Sequence, residues 1–220
     1  MKNEIIKRIE EEKIIAIVRG VEREKLIPLV EALYDGGIRL AEITFSSNGK
    51  ISDEETAENI KMLSEHFAGR MYIGAGTVLY EKQVKLAHGA GALFIISPDA
   101  SESVIKATLE CGMVSIPGAL TPREIQIANN AGADFVKLFP ISNFGAEYVK
   151  AVSAPLSHVK LLAVGGMKPE NMGEYLRAGA CGFGIGSNIV DKKMLANNDF
   201  DGIKELAKKY TQGIKEWQNI

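Results

Sequence analysis

The chain has 220 residues, 46% of them hydrophobic and 25% charged, with a formal net charge of −2. That composition supports a sizeable buried core, and the mixing of acids and bases along the chain excludes the charge block of a nucleic-acid or membrane-surface footprint. No apolar run reaches the roughly 18 residues needed to span a bilayer, so the expectation is a cytoplasmic protein whose partner is a small molecule, with no nucleic acid and no membrane.

In chain order, MKNEIIKRIEEEK reads as a short charged amphipathic helix without a signal-peptide core. One pattern then recurs: a short continuous apolar run, followed by a helix-length stretch that ends on glycine. The runs fall at 14–18, 40–45, 71–78, 93–97, 113–117, 135–139, 159–164 and 182–186. The helix-length stretches fall at 22–34, 52–67, 81–88, 101–110, 122–130, 145–152, 169–177 and about 199–217. Start signals support several of them: Asp53 with Thr56, Ser101 with Glu102, TPRE at 121–124 and KPEN at 168–171. Strands that are continuously apolar rather than alternating belong to a parallel sheet covered on both faces. Eight such units predict an α/β fold, a (β/α)8 TIM barrel with a short N-terminal helix, residues 1–220 forming one domain. An open doubly wound sheet is the competing architecture, but six or fewer strands suit it better, and IVRGVERE lacks its G-x-G-x-x-G fingerprint.

A barrel gathers its chemistry at the C-terminal ends of the strands. Those ends carry, in order, Arg19; Glu42 and Thr44; Gly74, Gly76 and Thr77; Ser97, Pro98 and Asp99; Pro117 and Gly118; Lys137 and Phe139; Gly165 and Gly166; Gly186 and Ser187. His66, His88 and His158 fall at helix ends or before the seventh strand, so neither a zinc site nor a histidine relay is expected. Glu42 and Asp99 are the only candidates for a hard-metal site and lie two strands apart, so no metal is expected. Cys111 and Cys181, each beside a glycine, read as small residues of helix-to-strand turns.

Lys137, in GADFVKLFP at 132–140, has Phe135 and Val136 before it and Leu138 and Phe139 after it. Lys160 begins the seventh strand at the opposite, stability face, and Lys168 lies in a loop. Two readings stand for Lys137: a core lysine satisfied by snorkelling or by Glu42, or a desolvated amine used as a nucleophile. A free lysine with a pKa of about 10.4 is neutral in only about 0.04% of molecules at pH 7. Burial and a nearby cation such as Arg19 favour the neutral amine, whereas an ionised Glu42 favours the ammonium. The neutral amine attacks a carbonyl to give a Schiff base, an electron sink beside which a carbon–carbon bond breaks or forms. Glu42 is the candidate proton shuttle for that chemistry, or else a structural partner of Lys137 or Arg19. VGGMKPEN and GIGSNIV, after the seventh and eighth strands, are placed to hold a phosphate on glycine N–H groups and the N-terminus of a short helix.

GAGTVL at 74–79, ISP at 96–98, IPGALTPREI at 116–125, FVKLFP at 135–140 and GG at 165–166 together resemble the 2-keto-3-deoxy-6-phosphogluconate (KDPG) and 4-hydroxy-2-oxoglutarate (KHG) aldolase family, over about residues 12–190. That family also includes 2-keto-3-deoxy-6-phosphogalactonate aldolases. The resemblance implies a homotrimeric class I aldolase, free of metal and cofactor, that releases pyruvate from a phosphorylated 2-keto-3-deoxy sugar acid. It implies Lys137 as Schiff-base former and Glu42 as general acid and base working through a water. It places Arg19 and Thr77 near the pyruvyl carboxylate, Pro98 and Phe139 in the pocket wall, and Gly165, Gly166 and Ser187 on the phosphate. Two positions depart from the family pattern. Ser46 stands where some members carry a pocket arginine, which throws carboxylate binding onto Arg19 and Thr77. Val164 stands where the phosphogluconate enzymes carry threonine. AVGG and NFGAEYVKA look more like the phosphogalactonate branch, EITF and LTPREI more like the phosphogluconate one. A phosphosugar isomerase using Glu42 as base, and a noncatalytic phosphate-binding barrel, are the competing functions.

Overall fold

The computed structural model describes residues 1–218. Helix α1 (Lys2–Glu12) precedes β1 (Ile14–Val18), α2 (Arg23–Asp35), β2 (Leu40–Thr44), α3 (Asp53–His66), β3 (Tyr72–Gly76), α4 (Glu81–Gly89), β4 (Phe94–Ile96) and α5 (Glu102–Glu110). The chain continues through β5 (Val114–Ile116), β6 (Gly118–Ala119), α6 (Pro122–Asn130), β7 (Val136–Leu138), α7 (Gly145–Ser153), β8 (Leu161–Val164), α8 (Met172–Arg177), β9 (Ala180–Ile185), α9 (Lys192–Ala196) and α10 (Phe200–Gln218). All pairings are parallel, in the order β5-β4-β3-β2-β1-β9-β8-β7-β6.

The sheet is the expected barrel with one strand cut in two. Pro117 divides the fifth strand: β5 pairs with β4 and β6 with β7. Proline has no N–H to give a ladder, but its carbonyl still accepts from Lys137 N–H at 2.8 Å, and the Ser115 carbonyl accepts from Asp134 and Phe135. The sheet thus runs from β6 back to β5 through a single residue.

Other differences are local. The last strand begins at Ala180, so Cys181 lies in β9 rather than in a turn; its Sγ donates to the Leu161 carbonyl at 3.2 Å, and burial pushes the thiol up to about 11. Helix α9 was not expected; Asp191 caps it by accepting from Lys193 and Met194 N–H. Helix α3 is capped by Ser52, one residue before the expected Asp53, and α8 starts after KPEN rather than within it. The TPRE signal forms a full capping box between Thr121 and Glu124, which satisfies N–H groups that the first helical turn otherwise leaves unpaired.

Two apolar layers hold the fold. One lies between sheet and helices. The other fills the barrel interior, with Ile15, Leu40, Phe94, Ile116, Phe135 and Leu162, and is closed at its N-terminal end by Ile5 and Ile9 of α1. A Cβ on Gly74 would overlap the Phe94 ring, so glycine there lets the ring cross the interior. Each of these larger side chains contributes about 1.5–3 kcal/mol by leaving water. Side chains alternate along a strand, so two residues further on the same interior positions are Ile17, Glu42, Lys137, Val164 and Gly76.

Candidate active site

That next layer is where the barrel stops being apolar. Glu42 is 1% exposed and Lys137 6% exposed. Glu42 faces inward because Leu40 and Thr44, its period-two neighbours, do so too, and it fits because β3 is glycine both at its register partner, Gly74, and one pair further on, where a Cβ on Gly76 would overlap Glu42 Oε2. That oxygen has no hydrogen-bond partner. Burial raises the carboxyl above its usual range, opposed by the charges of Lys137 and Arg19. Burial likewise pushes the Lys137 ammonium down, with Arg19 acting the same way and Glu42 against. Both groups are therefore driven toward their uncharged forms. The Nζ of Lys137 lies 4.8 Å from the centre of the Phe139 ring.

A cavity of about 370 Å³ opens above this pair at the C-terminal mouth, within the range of small-molecule sites. Arg19, Thr77, Pro98, Lys137, Phe139, Gly165, Gly166 and Ser187 line it, eight of the nine residues singled out from sequence. The ninth, Glu42, is not in its wall; it is buried near enough to Lys137 for the two charges to interact. Arg19 Nη2 donates to Thr77 Oγ1 at 3.1 Å. Thr77 has φ +55°, an uncommon conformation for a β-branched residue; the turn is held by Val78 N–H donating to the Ile96 carbonyl at 3.2 Å.

Beside Arg19, after β9 and β8, two loops form a polar wall. Gly165 and Gly166 have φ of +112° and +72°, and Ser142 packs so closely that a Cβ on Gly166 would lie 3.0 Å from the Ser142 Cβ. Among the described residues, the backbone N–H groups of Gly166, Ser187 and Asn188 have no protein acceptor. The short helix expected after the last strand is a single turn, closed by Val190 N–H on the Gly186 carbonyl at 2.9 Å; any anion here is held by individual N–H groups rather than by a helix dipole. Sequence reasoning missed Ile17, Met167 and Asn188, all in the cavity wall. Asn188, directly after GIGS, was within reach of it.

A second cavity of about 530 Å³ adjoins the first at Arg19 and lies against Thr44, Ser46, Asn48 and Lys50. It is larger, yet neither buried ionisable group reaches it. Ser46 Oγ donates to Asn48 Oδ1 at 2.7 Å, so the residue in the place of the pocket arginine is engaged within its own loop. His66 and His88 lie at the ends of α3 and α4, and His158 precedes β8, away from both cavities.

The family model for KDPG and KHG aldolase matches residues 5–206. The 2-dehydro-3-deoxy-6-phosphogalactonate aldolase of Escherichia coli K12 is 35% identical over 203 residues, covering 92% of this chain and 96% of the relative. The 2-dehydro-3-deoxy-phosphogluconate aldolase of Haemophilus influenzae is 32% identical, covering 96% and 97%. A solved KDPG aldolase of Legionella pneumophila, with pyruvate captured at low pH as a covalent carbinolamine intermediate, superposes with a TM-score of 0.82 at 29% identity, covering 92% of this chain and 96% of that one. The chain belongs to the KDPG and KHG aldolase family of carbon–carbon lyases.

Proposed function

We propose that the chain is a Schiff-base aldolase that reversibly cleaves 2-keto-3-deoxy-6-phosphogluconate to pyruvate and D-glyceraldehyde 3-phosphate, and accepts 4-hydroxy-2-oxoglutarate, which yields glyoxylate, as a second substrate. The observation that carries this reading is the buried amine of Lys137, facing a cavity of substrate size with its ammonium form disfavoured. The carbinolamine of the Legionella relative supports it.

The neutral amine attacks C2 of the keto acid, and a proton moves to the former carbonyl oxygen to give a carbinolamine. Glu42, whose raised pKa keeps its proton available, protonates that hydroxyl through a water, and it leaves as water. The resulting iminium draws the electron pair of the C3–C4 bond, while the Glu42 carboxylate takes the C4 hydroxyl proton. Aldehyde departs and an enamine is left. Glu42 returns the proton to C3, and hydrolysis frees pyruvate and the amine. Arg19 and Thr77 hold the carboxylate, Pro98 and Phe139 flank the carbon chain, and Gly165, Gly166 and Ser187 offer N–H groups to the phosphate. Nothing in these steps calls on a cofactor. The assembly proposed is a homotrimer in the cytoplasm, and light scattering of the purified protein reads the subunit number.

A second reading has its own support. Val164 forms part of the cavity wall and has no hydroxyl to read the sugar chain, and the E. coli relative acts, by its name, on the phosphogalactonate acid. The two acids differ at one hydroxyl configuration, a difference that one or two hydrogen bonds decide.

The test is incubation with pyruvate and sodium borohydride, followed by peptide mass analysis. A reduced pyruvyl adduct on the Lys137 peptide, absent from Lys137→Ala, is the expected result; a folded protein without adduct overturns the mechanism. The kcat/KM values for the two phosphorylated epimers then assign the sugar acid.

A further inference from the structure

The polar wall beside Arg19 is built so that two of its carbonyls are occupied by side chains. Met167 O accepts two hydrogen bonds, from Asn188 Nδ2 at 2.8 Å and from the Tyr210 hydroxyl at 3.0 Å. Gly166 O accepts from Asn171 Nδ2 at 3.1 Å, and Asn171 Oδ1 takes the Lys168 N–H at 2.9 Å. A backbone carbonyl turned into the cavity would repel an anion; three side chains hold these two carbonyls elsewhere. With the carbonyls fixed and Gly165 and Gly166 at positive φ, the unpaired N–H groups of this loop and of the 186–190 turn share one wall. Asn188 also joins the two loops, since it belongs to one and bonds the other.

Tyr210 stands apart from the other two because it comes from α10, outside the barrel. It is 2% exposed and packed in the core between sheet and helices. Burying a phenol without a partner is costly, and the partner it has is a loop carbonyl rather than a group of a neighbouring helix. Burial pushes its pKa up to about 12, so the hydroxyl remains a donor across the working range. Thr211, the next residue, donates to the Gly36 carbonyl at 2.9 Å and so fixes that turn of α10 on the end of α2.

We infer that Tyr210 is a positioning residue for the phosphate end of the substrate: through its hydrogen bond to the Met167 carbonyl it sets the loop after β8 so that N–H groups, not carbonyls, face the anion. The inference rests on the proposed function, in which this wall receives a phosphate. It assigns a role in substrate discrimination to a helix that contributes no atom to the cavity.

The experiment compares Tyr210→Phe with wild type on the preferred phosphorylated sugar acid and on 4-hydroxy-2-oxoglutarate, which carries no phosphate. Removing one hydroxyl leaves the ring and its packing. The expected result is a fall of about three- to tenfold in the ratio of kcat/KM for the phosphorylated acid over the other, carried by KM rather than kcat. Asn171→Ala, at a half-buried position, is expected to lower the same ratio through the Gly166 carbonyl, and stands in if Tyr210→Phe folds poorly. Equal losses on both substrates would mean that Tyr210 is merely structural, and an unchanged ratio in both variants would mean that the carbonyl ties do not matter; either overturns the inference. Failure of the underlying reading shows separately: a wild type that forms no borohydride-trapped adduct is not a Schiff-base aldolase. One that forms it but prefers 4-hydroxy-2-oxoglutarate has no phosphate site, and the inference falls with that site.

Discussion

The two mouths of the barrel are made by the same strands, yet they differ by one layer of side chains. At the N-terminal mouth, Ile15, Leu40, Phe135 and Leu162 meet Ile5 and Ile9 of α1 in a closed apolar layer. Two residues along, at the C-terminal mouth, Leu40 gives way to Glu42, Phe135 to Lys137 and Leu162 to Val164, and helices are replaced by glycine turns. The first mouth supplies stability; the second spends it. Two buried ionisable groups with an unpartnered oxygen each carry a desolvation cost, and the closed apolar layer beneath them offsets it and keeps them out of water.

The largest effect expected from this contrast is that of Lys137→Met. It should abolish cleavage and the borohydride-trapped adduct, because among the described residues no other lysine lines the cavity, and yet raise stability by about 1–2 kcal/mol, since a buried amine is replaced by an apolar chain of similar length. The sign follows from proton binding. The amine pKa is lowered on folding, so at neutral pH the unfolded chain binds a proton that the folded site disfavours, and wild-type stability rises with pH between the depressed value and about 10.4. The variant's advantage in thermal melts should accordingly shrink as pH is raised across that window. A variant less stable than wild type would mean that Lys137 contributes to the core rather than taxing it.

Glu42→Gln comes next. It keeps the shape above Gly76 but removes the proposed proton shuttle, and kcat should fall by about 10²–10⁴. Adduct formation should persist, with its acid limb moved to lower pH, because Glu42 is the group that raises the Lys137 pKa. An acid limb moved upward in a pH series would show that the two side chains do not interact as described. At the other mouth, Phe135→Ala should cost about 3–5 kcal/mol in denaturant unfolding, while the protein that remains folded keeps its adduct chemistry.

These contrasts were unevenly written in the sequence. The strands, and the exceptional character of Lys137 and Glu42, could be read because each charge interrupts a short, largely apolar run, Lys137 between Val136 and Leu138 and Glu42 between Ala41 and Ile43. The cut at Pro117 was visible only as a proline at a strand end, since which neighbour each half pairs with is a matter of register around the ring. Helix α9 was hidden because no glycine separates it from the last strand's turn. The ties that shape the polar wall were out of reach: Tyr210 and Met167 are 43 residues apart, and nothing local tells a phenol on an amphipathic helix which carbonyl it will meet. What a side chain faces within its own element was legible, and what it meets across elements was not.

The smallest expected effect is the most direct check on the comparison. Lys160 lies one residue before β8, at the N-terminal mouth, with Nζ 2.7 Å from Glu10 Oε1 of α1 and 5.4 Å from the centre of the Phe135 ring. It shares with Lys137 an aromatic neighbour and an acidic partner, but its side chain is 44% exposed and Glu10's is 41% exposed. Water and salt therefore screen the pair, and such pairs are worth about 0–1 kcal/mol. Lys160→Ala should lower Tm by no more than about 3 °C, less in high salt, and leave kcat/KM within about twofold of wild type. On the proposed mechanism the same side chain is thus inert at one mouth and reactive at the other, and burial, with Arg19 acting in the same direction, makes the difference. Loss of cleavage in Lys160→Ala without unfolding would break that account, because it would place the chemistry where water is free to keep the lysine charged.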